Sequence, residues 1–113
     1  QIAKEYADDE DAFSKKIYDV IGAGVGIIES VPAAVSIAYY TQDPNKCCLM
    51  CANLGGDTDT IGAMATAICG AFVGYSKINP EYTELLRVQN PETDFEEYIN
   101  ILEKGRELLG CGR

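Results

Sequence analysis

A long apolar stretch in the middle of the chain decides much about its fold. It runs for 15 residues, from Ile61 to Tyr75, and it is rich in alanine and glycine. A membrane-spanning helix needs about 20 apolar residues, so we interpret this stretch as a buried helix of a globular core. Its small side chains let neighbouring helices approach closely, which favours a crowded packing of helices.

Hydrophobic residues elsewhere recur with helical spacing, and no segment alternates as a strand would. The pattern predicts helices from about Glu10 to Ile21, after Ser30 with Pro32 in the first turn, from Pro44 to Gly55-Gly56, from Asp59 or Thr60 onward, from Pro80, and after a capping box of Thr93 and Glu96. We therefore predict an all-α fold: a compact orthogonal helical domain in which residues 1–113 form a single unit.

The charge of the chain excludes some partners. A net charge of −9 disfavours DNA, RNA and anionic membrane surfaces, because binding to these depends on clustered Lys and Arg. The acidic run from Asp8 to Asp11 is typical of a solvated turn and helix start, since it lacks the spacing of a calcium loop. The chain opens on Gln1 without an initiator Met, so we expect it to be a segment of a longer polypeptide.

Five cysteines occur, and three of them lie within five positions, at Cys47, Cys48 and Cys51. An odd and clustered set does not resemble a disulfide framework, so we expect reduced thiols and a cytoplasmic location. The CxxC spacing raises a zinc hypothesis, but no second pair follows and the chain contains no His. We favour small apolar side chains packed on a helix.

The sequence Gly-Gly-Asp-Thr-Asp-Thr at residues 55–60 precedes the apolar stretch. In an extended segment the side chains of Asp57 and Asp59 project to the same side, and the Thr60 hydroxyl follows at the helix start. Two carboxylates and a hydroxyl are hard oxygen ligands, suited to Mg²⁺, Mn²⁺ or Ca²⁺. On spacing alone, helix capping by Asp57 or Asp59 is the simpler interpretation.

The wider segment "NLGGDTDTIGAMATAICGAFVGY" resembles the C-terminal signature of the ADP-ribosylglycohydrolase family. The resemblance implies an all-α fold with a metal-binding loop at a helix N-terminus and two Mg²⁺ ions in the complete site. It implies that Asp57, Asp59 and Thr60 are metal ligands. The activity it implies is magnesium-dependent hydrolysis of the ribosyl glycosidic bond in ADP-ribosylated proteins or small ADP-ribosyl adducts.

A second segment, "GAGVGIIESVPAAVSIAYY", resembles the family branch that acts on serine-linked ADP-ribose. In that branch the glycine turn and the following Ile line the substrate pocket, which assigns substrate binding to Gly24, Val25, Gly26 and Ile27. The alternative is a simple helix break with Ile27 in the core.

Two features of the family are missing from this sequence. The family's Thr-Asp-Asp metal motif and its N-terminal acidic residue are absent from the sequence. We therefore expect the C-terminal portion of a larger ADP-ribosylglycohydrolase-like domain, whose missing N-terminal part is a partner, and which is inactive alone. The catalytic residues are unknown; Glu29 is the one acid or base candidate in an interesting place, and we expect it to cap the helix that follows it or to serve structurally.

Two other classes of function stay open. The chain could be a catalytically inactive relative with a structural or binding role, as some lens crystallins of this family are. It could also be a helical interaction module stabilised by Ca²⁺ or Mg²⁺.

Overall fold

The computed structural model describes residues 2–110. The all-α prediction is confirmed, since no strand occurs within that range. The helices are α1 (Ile2–Glu5), α2 (Glu10–Lys16), a π-helical segment (Ile17–Ile21), α3 (Ile27–Thr41), α4 (Pro44–Leu54), α5 (Thr58–Val73), a 3₁₀ turn (Tyr75–Lys77), α6 (Pro80–Gln89) and α7 (Phe95–Leu108). None of the described helices is both long and apolar enough to cross a bilayer.

The described residues divide into two compact units, which meet in sequence between Ile78 and Asn79. The prediction of a single unit within a larger domain therefore stays a prediction. The buried hydrophobic residues all belong to the first unit, where α3, α4 and α5 pack on one another. They are Phe13, Ile17, Ala23, Ala33, Ala34, Ile37, Ala38, Cys47, Met50, Cys51, Leu54, Ile61, Ala65 and Cys69.

The first predicted helix has the expected bounds, but it changes from an α-helix to a π-helix along its length. Asp9 caps its start, because its Oδ1 accepts a hydrogen bond from the Ala12 N–H at 3.0 Å. The last five residues are π-helical, and the Gly22 N–H closes this segment by donating to the Ile17 carbonyl at 2.9 Å. The acidic run is thus a helix start, as predicted.

Helix α3 begins earlier than the sequence predicted. Its first residue is Ile27 and its N-cap is Gly26, so Pro32 lies inside the helix. Pro32 cannot donate to the Ile28 carbonyl, and this interruption falls where the helix is open to solvent, since Ile28 is 83% exposed. Ser30, expected to lie before the helix, is instead buried within it at 4% exposure.

Helices α4 and α5 pack on each other, and each has an aspartate at its N-cap position, Asp43 in α4 and Asp57 in α5. Helix α4 follows the predicted pattern, with Pro44 as first residue and Asp43 as N-cap. Helix α5 begins at Thr58, one or two residues before the predicted start. Its interior Ile61 and Ala65 are fully buried, as the apolar stretch predicted.

The second unit consists of α6 and α7. Pro80 opens α6 as predicted, after Asn79, whose side chain accepts from the Glu81 N–H. In α7 the capping residues are shifted by one position from the prediction. Asp94 is the N-cap and accepts from the Glu97 N–H at 3.0 Å, which makes Asp94 and Glu97 the pair rather than Thr93 and Glu96.

Candidate functional site

The start of helix α5 has an aspartate at the N-cap position that does not cap. The Asp57 carbonyl accepts the first helical hydrogen bond, from the Ile61 N–H at 3.1 Å. Its carboxylate, however, accepts no backbone N–H of the first turn. Asp59 lies inside that turn and so does not occupy the N-cap position. N-capping by Asp57 is therefore absent, whereas the Asp59 carboxylate accepts first-turn backbone N–H groups, those of Thr60 and of Asp59 itself.

The carboxyl groups of Asp57 and Asp59 are close enough to interact. A hydrogen bond with the Asp57 carboxyl, followed by the backbone N–H groups of Thr60 and of Asp59 itself, lowers the pKa of Asp59. Two ionised carboxylates that approach each other repel, and a shared proton or a bound cation relieves that repulsion. The extended segment on which the sequence prediction of convergence relied is absent, since Asp59 lies in the first turn of α5, but the two carboxyl groups still interact.

The donor set at this helix start suits a hard divalent cation. It consists of the carboxylates of Asp57 and Asp59 and the hydroxyl of Thr60, which is exposed in the first turn of α5. Residues 2–110 contain no group of three His, Cys, Asp or Glu side chains that could hold a metal ion. The two carboxylates and the hydroxyl are therefore at most a part of a metal site, since Mg²⁺ takes six ligands.

A backbone hydrogen bond joins this loop to the glycine turn that precedes α3. The Asp57 N–H donates to the Ala23 carbonyl at 2.6 Å. Gly56 has a φ of +71°, and a Cβ there would overlap the Ala23 carbonyl oxygen. Only glycine therefore fits at position 56, for reasons of both conformation and space. Sequence reasoning missed Ala23, whose contact with Asp57 spans 34 positions and leaves no local signal.

The predicted substrate-binding residues lie directly after Ala23. Gly26 is the N-cap of α3 and Ile27 its first residue. Val25 is 84% exposed and Ile27 is 74% exposed, so Ile27 does not belong to the core that residues 2–110 form. The structure brings the start of the turn to the Asp57 loop and leaves these two apolar side chains open to solvent.

The cysteines of α4 and α5 form part of the core. Cys47, Cys51 and Cys69 are buried, Cys48 is exposed, and all four are free thiols. A hydrogen bond to Cys51, reinforced by burial, raises the pKa of Cys47, and the same bond lowers the pKa of Cys51. Cys111 lies outside the described residues. The packed-thiol interpretation is confirmed for the buried three.

The comparisons with a family profile and with known proteins agree on one family. A sequence profile of the ADP-ribosylglycohydrolase family matches residues 1–109. YegU of Escherichia coli K12 is 50% identical over 102 residues, which cover 89% of this chain and 30% of that protein. The ADP-ribosylhydrolase ARH3 of Xenopus tropicalis is 35% identical over 86 residues, covering 66% of this chain and 25% of that protein.

A further relative is the ADP-ribosylarginine hydrolase Tri1 of Serratia proteamaculans, which is 30% identical over 96 residues, 74% of this chain and 26% of that protein. No solved structure matches the chain significantly. The chain thus spans between a quarter and a third of the length of these relatives. Its GGDTDT loop at a helix start, its helical fold and a family match across nearly all of its residues lead to one conclusion: the chain belongs to the ADP-ribosylglycohydrolase family.

Proposed function

We propose that the chain supplies half of the metal site of a magnesium-dependent ADP-ribosyl hydrolase, the C-terminal part of a larger domain. The proposal rests on the pair of interacting carboxyl groups at the start of α5. There Asp57 occupies the N-cap position but its side chain makes no capping hydrogen bond. Family membership supports the activity class, and relatives named as ADP-ribosylhydrolases support the substrate class.

The residues that would hold the metal are Asp57, Asp59 and Thr60. Their oxygens fit Mg²⁺, with Mn²⁺ or Ca²⁺ as alternatives, and the complete site would hold two ions. Bound cations there would orient the ribose hydroxyls and stabilise charge that develops as the glycosidic bond breaks. The ordered backbone of the loop matters because ligands held in place before binding lose less conformational entropy.

The chain's own residues would also position the substrate. Gly24, Val25, Gly26 and Ile27 follow the Ala23 carbonyl that holds Asp57, so a ribose near the metal ligands would lie close to this turn. The exposed side chains of Val25 and Ile27 offer apolar surface to the substrate. The substrate would be an ADP-ribosylated protein or a small ADP-ribosyl adduct.

The remaining ligands would come from the N-terminal part of the domain, which is the partner we propose for the first unit. An apolar groove of about 330 Å³ between α3 and α5 supports this assignment. Gln42 is the polar member of its lining, which also includes Val35, Ala38, Tyr39, Ile68, Cys69 and Phe72. Phe72 is 71% exposed and Tyr39 is 57% exposed, so both would be buried by a packed apolar helix.

Magnesium calorimetry on the 113-residue chain tests the metal assignment. We expect weak binding that falls at least about tenfold in Asp59→Ala, because a charged ligand is lost. The control is Asp94→Ala, which removes a carboxylate that caps α7 and should leave Mg²⁺ affinity unchanged. Equal affinities in the wild type and Asp59→Ala would contradict the assignment.

An activity assay tests the expectation that the site is incomplete. The isolated chain should release no ADP-ribose from an ADP-ribosylated peptide in the presence of Mg²⁺. Turnover by the isolated chain would contradict the half-site proposal. Metal binding without turnover after the missing part is supplied would favour the inactive relative instead.

A binding experiment tests the groove. The part of YegU outside the matched 102 residues serves as the probe, with Phe72→Glu as the variant. We expect complex formation by the wild type and its loss in the variant. Sedimentation of the chain alone detects the competing outcome, a homodimer that covers the groove.

A further inference from the structure

The side chain of Glu29 folds back onto the glycine turn that precedes its own helix. A Cβ on Gly22 would overlap the Glu29 carboxylate, and a Cβ on Gly24 would lie 2.6 Å from its Oε2. Gly22 also has a φ of +95°, which favours glycine. The carboxylate thus occupies the space left by two missing side chains.

Neither capping nor ion pairing explains this placement. The N-cap of α3 is Gly26 and no side chain caps it, so of the two roles expected for Glu29, capping and a structural role, capping is absent. Within residues 2–110 the Glu29 carboxylate has no hydrogen bond and no ion pair. It is partly buried although it carries no partner, so its position reflects packing against the turn.

The turn under Glu29 is the one that holds the Asp57 loop. Ala23, between the two glycines, is only 4% exposed, and its carbonyl accepts the Asp57 N–H at 2.6 Å. A shift of the turn would therefore move or break this hydrogen bond. Glu29 therefore lies against the turn at Gly22 and Gly24, and the Asp57 loop contacts it at Ala23.

We infer that Glu29 is a positioning residue that fixes the Gly22–Gly24 turn, and through Ala23 the backbone of Asp57. It acts by the shape of its side chain rather than by its charge. The effect of Glu29 on the Asp57 backbone follows from these contacts alone. Its consequence for metal binding rests on the proposed function.

Hydrogen exchange of the Asp57 amide, measured by NMR without metal, tests the inference directly. In Glu29→Ala the exchange rate should rise at least about tenfold, because the turn loses its packing and the bond to Ala23 opens more often. In Glu29→Gln, which keeps the shape, the rate should stay within about twofold of the wild type. Glu81→Ala, another first-turn Glu, is the matched control and should change nothing.

Two results would overturn the inference. One is an unchanged Asp57 exchange rate in Glu29→Ala, and the other is equal damage from Glu29→Gln, which would show that charge matters. Should Glu29→Ala fail to fold, Gly24→Ala takes its place, since its added Cβ displaces the carboxylate and should also raise the exchange rate.

Magnesium calorimetry on the same variants separates this inference from the proposed function. We expect Glu29→Ala to weaken Mg²⁺ binding at least about threefold and Glu29→Gln to restore it. If the wild type binds no Mg²⁺, the proposed function fails, while the exchange rates still decide the role of Glu29.

Discussion

Helices α4 and α5 begin with the same residue type in the same position, but the two aspartates do different things. Asp43 uses its side chain locally, since its Oδ1 accepts from the Asn45 N–H at 2.9 Å. Asp57 leaves its first turn uncapped, donates its backbone N–H to Ala23, and directs its carboxyl group to Asp59. Because the Asp57 carboxylate makes no capping hydrogen bond, it is available to bind a ligand. This difference distinguishes the structural helix start at Asp43 from the candidate site at Asp57.

The largest loss of stability is expected from Gly56→Val, which distorts the loop before α5 without changing any charge. The side chain would overlap the Ala23 carbonyl at a φ of +71°. We expect a loss of about 2 kcal/mol or more in the free energy of unfolding, measured by urea denaturation, and loss of Mg²⁺ binding. Unchanged stability would mean that the loop does not pack on the glycine turn.

A pair of alanine variants tests the two aspartates against each other. Asp43→Ala removes a capping bond and should lower the free energy of unfolding by about 1 kcal/mol. Asp57→Ala removes no capping bond and should change it by no more than about 0.5 kcal/mol. Urea denaturation of both variants measures the difference. Equal losses would show that Asp57 caps its helix in solution.

The sequence predicted those features of the two helix starts that are local. The Asp43-Pro44 start of α4 was correct because N-capping and an N1 proline depend on adjacent residues. The interaction of Asp57 and Asp59 did not follow from the extended geometry that the sequence prediction assumed, because helix α5 already begins at Thr58. The start of α3 was wrong because Pro32, a favoured first-turn residue, lies inside a helix whose buried Ala33 and Ala34 are held by the core.

Long-range contacts were beyond prediction from the sequence. Ala23 and Asp57 are joined by a hydrogen bond across 34 positions, and no periodicity connects them. The position of Glu29 over Gly22 and Gly24 likewise depends on a backbone turn that the sequence indicates only as a break. The metal assignment came from the family resemblance, since spacing alone favoured capping.

A smaller effect, of opposite sign, is expected from Gly70→Ala. Gly70 lies inside α5, and a Cβ there would meet nothing within 4 Å. We expect an increase of about 0.5–1 kcal/mol in the free energy of unfolding, because alanine favours the helix over glycine. This variant sharpens the contrast with Gly56, and a loss of stability comparable to that of Gly56→Val would contradict it.

The smallest effect concerns pH. The hydrogen bond with Asp57 lowers the pKa of Asp59 in the folded chain, so this contribution to stability is present above the ordinary Asp pKa and is lost as the pH falls through the folded value. Because Asp59 is exposed, we expect a small change, seen best by NMR titration of its side chain. In Asp57→Ala the pKa of Asp59 should move back toward the ordinary value. A pKa of Asp59 that is the same in the wild type and in Asp57→Ala would contradict the interaction of the two carboxyl groups.

The central claim is that Asp57, Asp59 and Thr60 form a metal half-site, and addition of substoichiometric Mn²⁺ during NMR tests it most directly. We predict that paramagnetic broadening appears first at the amides of residues 57–60 and of Ala23, and that Asp59→Ala removes it. The acidic run Asp8–Asp11 provides an internal control, because it carries more negative charge without the converging geometry. Broadening that begins at that run, or that persists at residues 57–60 in Asp59→Ala, would contradict the claim.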